Sequence, residues 1–246
     1  MQDPRRVLKE LEQRARRRFG QHFLTRASLA TRMVQASRVG AGQRVLEIGP
    51  GLGMLSGALM KAGVDLTLCE VDRDLAAFLA EELPGVVIHQ GDALMVDLED
   101  LCPGDDWSVV ANLPYNVGTH LVMRLLRAAP KFSSVTVMLQ REVIQRLIAD
   151  PQTKAYGALS VQVQVRCRPL FLFTVPPGAF HPPPKVHSAV VRMEVFEQPD
   201  FGVAGEEAFD KVVKAAFSQR RKMLSNALGA TFGKQRVLDA FERAEL

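Results

Sequence analysis

Apolar positions along the chain alternate between a helical and a strand period. In "RASLATRMVQASRV" (26–39), Leu29, Met33 and Val34 share one helical face, and Gly40 and Gly42 then stop the helix. A short apolar strand follows over 44–48, then a glycine turn and a helix over 52–62. The stretch "VDLTLCEVDRDLAAFLAEEL" repeats the rhythm, with a strand over 64–70 and a helix over 73–83. "GVVIHQGDAL" predicts a third strand, "WSVVANLPY" a fourth, and "SSVTVMLQREVIQRLIAD" a fifth with a helix behind it. Strands alternating with helices imply right-handed crossovers and therefore a doubly wound, mostly parallel α/β sheet.

Past residue 155 the rhythm loosens. "ALSVQVQVRC" fits a strand by its β-branched alternation and a helix by its place between Gly157 and Pro169. "LFLFTV" and "SAVVRMEV" are predicted strands joined by "PPGAFHPPPKVH" (176–187). Consecutive prolines cannot donate to a ladder, so that loop belongs at the sheet's rim. "FEQPDFGVAG" reads as a linker and 206–243 as helical throughout. Two domains are expected, 1–198 and a small helical one over 199–246.

Composition changes this picture little, since 47% hydrophobic and 24% charged residues describe an ordinary globular chain and exclude disordered and fibrous classes. Cys69, Cys102 and Cys167 are odd in number and lack metal-ligand spacing, so reduced thiols and no metal site are expected. The N-terminus is charged throughout, without the apolar core of a secretory signal, and no run of about 18 apolar residues suggests a membrane span. A cytoplasmic protein is expected. Charge placement adds more: residues 1–22 hold seven Lys or Arg against three acids, and "SQRRK" (218–222) forms a second basic cluster. Two such clusters favour a polyanionic partner.

Candidate chemistry gathers at the predicted strand ends. "LEIGPGLG" carries Gly49, Gly51 and Gly53 in the turn after the first core strand, where a backbone can approach a ligand. Met54 stands where a dinucleotide fingerprint needs its last glycine, and Pro50 removes an amide that would hold a pyrophosphate. An NAD-dependent oxidoreductase is thereby disfavoured. Glu70 ends the next strand, placed to take the hydroxyls of a ribose, and Asp92 ends the third, placed to accept from an adenine amine. Together they describe an adenosine pocket joined to a glycine turn, as S-adenosylmethionine requires. Asn112, Leu113, Pro114 and Tyr115 then supply a reacting centre. The Asn112 side-chain oxygen and the Leu113 carbonyl can hold the N–H groups of an exocyclic amine, Pro114 can brace the backbone, and Tyr115 can stack on a base.

"FGQHFL", "LEIGPGLGMLS", "NLPYNV", "AYGALSV", "AFHPPPKVHSAVVRM" and "FSQRRKMLSNAL" together resemble the bacterial small-subunit ribosomal RNA adenine dimethyltransferases of type A, over about residues 16–243. The resemblance implies a Rossmann-like class I methyltransferase with a seven-stranded sheet and a C-terminal all-helical domain. It implies cofactor contacts at His22, Leu24, Gly49, Gly51, Glu70, Asp92 and Asn112, and Phe180 stacking on the flipped base opposite Tyr115. It also implies transfer of methyl groups to N6 of two adjacent adenosines near the 3′ end of small-subunit rRNA, on an assembling 30S-type particle, by a monomer. The backbone grip would come from Arg16, Arg17, Arg18, Arg220, Arg221 and Lys222. The chain departs from the family pattern at His22, where many relatives have Asn, and at Gly118 and His120, where small hydroxyl residues and proline are usual. Two alternatives stay open at this point: a large-subunit rRNA adenine dimethylase and a non-catalytic assembly factor on the same fold.

Overall fold

The computed structural model describes residues 22–245 apart from 203 and 220. Arg16, Arg17, Arg18 and Arg220 therefore lie outside the described residues. Seven strands form a central sheet: β2 (Arg44–Ile48), β3 (Asp65–Glu70), β4 (Val87–Gln90), β5 (Trp107–Asn112), β6 (Phe132–Gln140), β7 (Cys167–Val175) and β9 (Ser188–Val195). Their order across the sheet is β4-β3-β2-β5-β6-β9-β7. Strands β2 to β6 pair in parallel, whereas β9 lies antiparallel between β6 and β7. A two-stranded ribbon joins β1 (Phe23–Leu24) to β8 (Phe180–His181) in antiparallel register.

Side-chain alternation along the strands feeds two apolar clusters, one on each face. Leu46, Val109, Ala111, Val135 and Val137 point to the face covered by α5 (Gly118–Arg127), α6 (Arg141–Leu147) and α7 (Ala158–Gln164). Val45, Leu66, Leu68, Val110 and Met138 point to the other, beneath α1 (Ala27–Ser37), α2 (Met54–Lys61) and α3 (Arg73–Glu82). Asp72 caps α3, its carboxylate accepting from the Asp74 and Leu75 backbone N–H groups. A short α4 (Leu98–Leu101) precedes β5. The ambiguous "ALSVQVQ" is helix α7, and its polar residues settle the matter: Ser160 donates inward to the Arg146 carbonyl and Gln162 to Asp210. Two residues apart, they are turned about 200° from one another by a helix and so reach different neighbours, whereas a strand would put both on one face.

The tail comprises α8 (Gly205–Ala216), α9 (Leu224–Phe232) and α10 (Lys234–Arg243). Its first helix is tied to the sheet domain by charge. Arg166, fully buried, donates to Glu206 at 2.6 Å and to Asp210 at 3.0 Å, while Arg127 at the end of α5 also bonds Asp210. Among the described residues no helix is long and apolar enough to cross a membrane.

Candidate active site

One cleft opens along the carboxyl edge of the sheet, where β2, β3, β4 and β5 end. The glycine turn forms its floor. Gly51 has φ +58, and a Cβ there would come within 2.9 Å of the Phe23 ring, so both the backbone and the space require glycine. Gly49, at φ +66, lies against Pro114. Its backbone N–H donates to the Cys69 carbonyl, which ties the turn to β3.

Glu70 is 2% exposed and turned into this turn. One of its oxygens accepts from the Gly51 N–H at 3.2 Å and the other from the Asp72 N–H at 3.0 Å. Each oxygen keeps a further lone pair, and the residue lines the cleft. Burial pushes its carboxyl above the ordinary carboxylate range, and these backbone donors oppose the rise. Asp92 lines the cleft with one oxygen committed to the Leu94 N–H at 2.9 Å. Arg124 fixes the same loop from α5, donating to the Ala93 carbonyl at 2.6 Å and to the Val96 carbonyl.

Asn112 ends β5 with its amide oriented: Nδ2 donates to the His22 carbonyl at 3.3 Å, which leaves Oδ1 for the cleft. His22 in turn bonds the Pro182 carbonyl through Nδ1 at 2.8 Å. The segment before α1 is thus clasped between the proline loop and the end of β5. Tyr115 is half-buried, its phenol bonded to the Ser188 hydroxyl and its ring 5.3 Å from that of His22 at a tilt of 36°. Burial pushes the phenol above its usual range, against the lowering effect of that hydrogen bond.

The structure brings His22, Leu24, Gly49, Gly51, Glu70, Asp92, Asn112, Leu113, Pro114 and Tyr115 into one lining. Phe180, expected opposite Tyr115, is not among these lining residues. That ring is 4% exposed and packs in the apolar cluster with Leu24, because the ribbon pairs Leu24 with Phe180 and turns the side chain into the core. The ring facing Tyr115 is His22. Arg221 and Lys222 are exposed just beyond α8 and do not line the cleft.

Glu47 was not anticipated. It lines the cleft at 1% exposure, and its Oε2 has no hydrogen-bond partner among the described residues. Burial pushes its carboxyl up to about 8, against a contribution from Ser56 that lowers it. A carboxylate inside the apolar run "VLEI" was the available signal. Among the described residues no Lys or Arg lines the cleft, so its acids face no protein cation there.

A doubly wound sheet with an acidic ligand cleft at its carboxyl edge, a glycine turn and an antiparallel strand inserted at β9 is the architecture of a class I methyltransferase. A family model described as ribosomal RNA adenine dimethylase matches residues 12–244. The chain belongs to that family and is an rRNA adenine dimethyltransferase. It is 45% identical to the ribosomal RNA small subunit methyltransferase A of Pseudomonas aeruginosa, over 88% of this chain and 82% of that one. It is 42% identical to the protein of that name from Acinetobacter baylyi, over 96% and 86%. Among solved structures, the 23S rRNA methyltransferase ErmE has a TM-score of 0.70 at 25% identity, covering 91% of this chain and 90% of that one. A dimethyladenosine transferase from Plasmodium falciparum has a TM-score of 0.74 at 24% identity, covering 90% and 78%, and shares the fold.

Proposed function

We propose that this chain transfers methyl groups from S-adenosylmethionine to N6 of two adjacent adenosines near the 3′ end of small-subunit rRNA, giving N6,N6-dimethyladenosines. The observation that carries this reading is the meeting, in one cleft, of unpaired acids with an Asn-Leu-Pro-Tyr strand end. The cofactor fits the donor set. It is cationic at its sulfonium and its ammonium, and the cleft offers Glu47 with an orphaned oxygen, Glu70 with spare lone pairs and the uncommitted oxygen of Asp92. When bound, S-adenosylmethionine supplies an electrophilic methyl whose departure leaves a neutral thioether.

The chain's own residues do the rest. Glu70 receives the ribose hydroxyls and Asp92 the adenine amine, while His22, Leu24, Gly49 and Gly51 close around the remainder. Asn112 Oδ1 and the Leu113 carbonyl accept from the target amine, turning its lone pair toward the methyl; Pro114 braces that carbonyl and Tyr115 stacks on the base. No strong base is needed, since the surplus proton leaves after transfer. The reading of the substrate as small-subunit RNA is supported by the names of the relatives at 42–45% identity. Residues 199–246, with Arg220, Arg221 and Lys222, together with Arg16, Arg17 and Arg18, would hold the RNA backbone of an assembling particle. We place this work in the cytoplasm, by a monomer.

The test is to supply unmethylated small subunits with labelled cofactor and map the product. N6-dimethyladenosine at paired positions near the 3′ end is expected; no modification there, with large subunits supplied in parallel becoming labelled instead, would overturn the assignment. Asn112→Ala should abolish methylation while cofactor binding persists. Equal loss of both would assign Asn112 to the cofactor alone.

A further inference from the structure

The strand order sorts charge along the carboxyl edge of the sheet. Asp92 follows β4, Glu70 ends β3 and Glu47 lies near the end of β2. The Asn112 to Tyr115 segment follows β5. On the other side come Arg141, directly after β6, and Lys185 and His187, directly before β9. Because β9 is antiparallel, its beginning meets the end of β6 at this same edge. The acids thus occupy one flank of the reacting segment and the bases the other.

The basic flank is physically continuous with Tyr115. Its phenol bonds Ser188, Ser188 pairs with Gln140, and the Arg141 N–H donates to the His187 carbonyl at 2.9 Å. Arg141, Lys185 and His187 are exposed, and the side chain of none of them enters a hydrogen bond or ion pair among the described residues. Several other cations are committed, Arg124 to loop carbonyls, Lys131 to Glu99, Arg166 to Glu206 and Asp210, Arg168 to Glu194, whereas these three sit uncommitted at the same sheet edge as the reacting segment. Glu142, exposed beside Arg141, offsets one charge and leaves the flank positive. Val186, 46% exposed between Lys185 and His187, adds an apolar side chain to this flank.

We infer that Arg141, Lys185 and His187 form a binding site for the RNA sugar-phosphate backbone immediately flanking the target adenosine, distinct from the tail and the N-terminal arm. A polyanion finds exposed positive charge on this flank and none lining the cleft among the described residues. The strand therefore runs over the ends of β6 and β9, and the base enters across Tyr115 toward Asn112. This site deepens the reading of the substrate as RNA and rests on it.

The experiment measures binding of an RNA hairpin with two adjacent loop adenosines at several salt concentrations, together with methylation kinetics on small subunits. The double variant Arg141→Gln/Lys185→Gln should shallow the logarithmic salt slope by about 1.4, at roughly 0.7 for each lost contact to a single strand. The KM for RNA should rise about tenfold by the same loss of contacts, with kcat and cofactor affinity unchanged. Lys61→Gln, an exposed cation at the end of α2 away from the glycine turn, should leave the slope as in the wild type. An unchanged slope and KM in the double variant, with the wild type still binding and methylating, would overturn the site alone. So would an equal effect from Lys61→Gln. A wild type that neither binds nor methylates RNA would overturn the substrate reading as well.

Discussion

Two regions of this molecule bury carboxylates, and they treat them in opposite ways. Between α7 and α8, Asp210 and Glu206 meet the fully buried Arg166, with Arg127 and Gln162 completing the set and the guanidinium lying over the Phe201 ring. At the carboxyl edge, Glu47 and Glu70 are buried more deeply still and meet no cation among the described residues. Burial acts to raise Asp210, but Arg127 and Arg166 more than offset it, so its carboxyl lies below the usual range. Glu47 and Glu70 are raised. A carboxylate buried with its partner is structural; one buried without a partner is waiting for a ligand that brings the positive charge.

The largest test of that contrast is to remove the cation from the satisfied region. Arg166→Met should leave the buried Asp210 with Arg127 as its remaining cation, and the half-exposed Glu206 to solvent, so the cost in urea unfolding should fall at the low end for a broken buried pair, about 3 kcal/mol. Arg166→Met/Asp210→Leu should recover much of the loss, because no buried aspartate then remains there. A cost below about 1 kcal/mol for the single variant would mean that the network is weakly coupled to folding.

The unsatisfied region gives the next effect, and it appears as a pH dependence. Glu47 in the folded protein stands at about 8 against 4.5 ordinarily, so the folded state holds a proton that the unfolded chain releases. Its contribution to stability is complete below 4.5 and is lost as pH rises toward about 8. A tenfold difference in proton affinity between the two states is worth roughly 1.4 kcal/mol. Relaxation and water entry relieve part of a burial penalty, so a decline of about 2 kcal/mol is expected. Glu47→Gln should flatten it. Asp210 runs the other way: its contribution is present above 3.8 and lost as pH falls through its lowered value, so Asp210→Asn should act on the acid limb. Identical pH profiles for wild type and Glu47→Gln would remove Glu47 from the comparison.

Sequence reached the two regions unequally, for physical reasons. Gly49, Gly51, Glu70, Asp92 and Asn112 to Tyr115 were legible because each sits at the end of a strand whose period is local, and a parallel sheet brings strand ends together. Arg166 was not, because its partners lie on a helix some forty residues away, at separations of 40 and 44. The burial of Phe180 was hidden for the same reason. Its burial follows from pairing with Leu24 across most of the chain, and the fragment "AFHPPP" cannot state which face of a two-residue strand is covered. Glu47 was legible and passed over, a charge inside an apolar strand being the signal. The helix α7 was obscured because its inward positions are polar, spent on Arg146 and Asp210.

A smaller effect tests whether the cleft's neutral polar groups behave like its acids or like the satisfied network. Ser188, fully buried and paired to both β6 and β7, holds the Tyr115 phenol from the base of the proline loop. If that bond exists to fix the plane of the ring, Ser188→Ala and Tyr115→Phe should each cost about 1 kcal/mol in methylation kcat/KM. The double variant should cost no more than the larger single loss, since one bond is removed in all three proteins. Cofactor affinity should stay level throughout, because Ser188 lies on the far side of Tyr115 from the acids, next to β6. Additive losses would mean that the two groups act separately. The pair would then belong with Glu47 and Glu70, as polar groups held ready for a ligand rather than for each other.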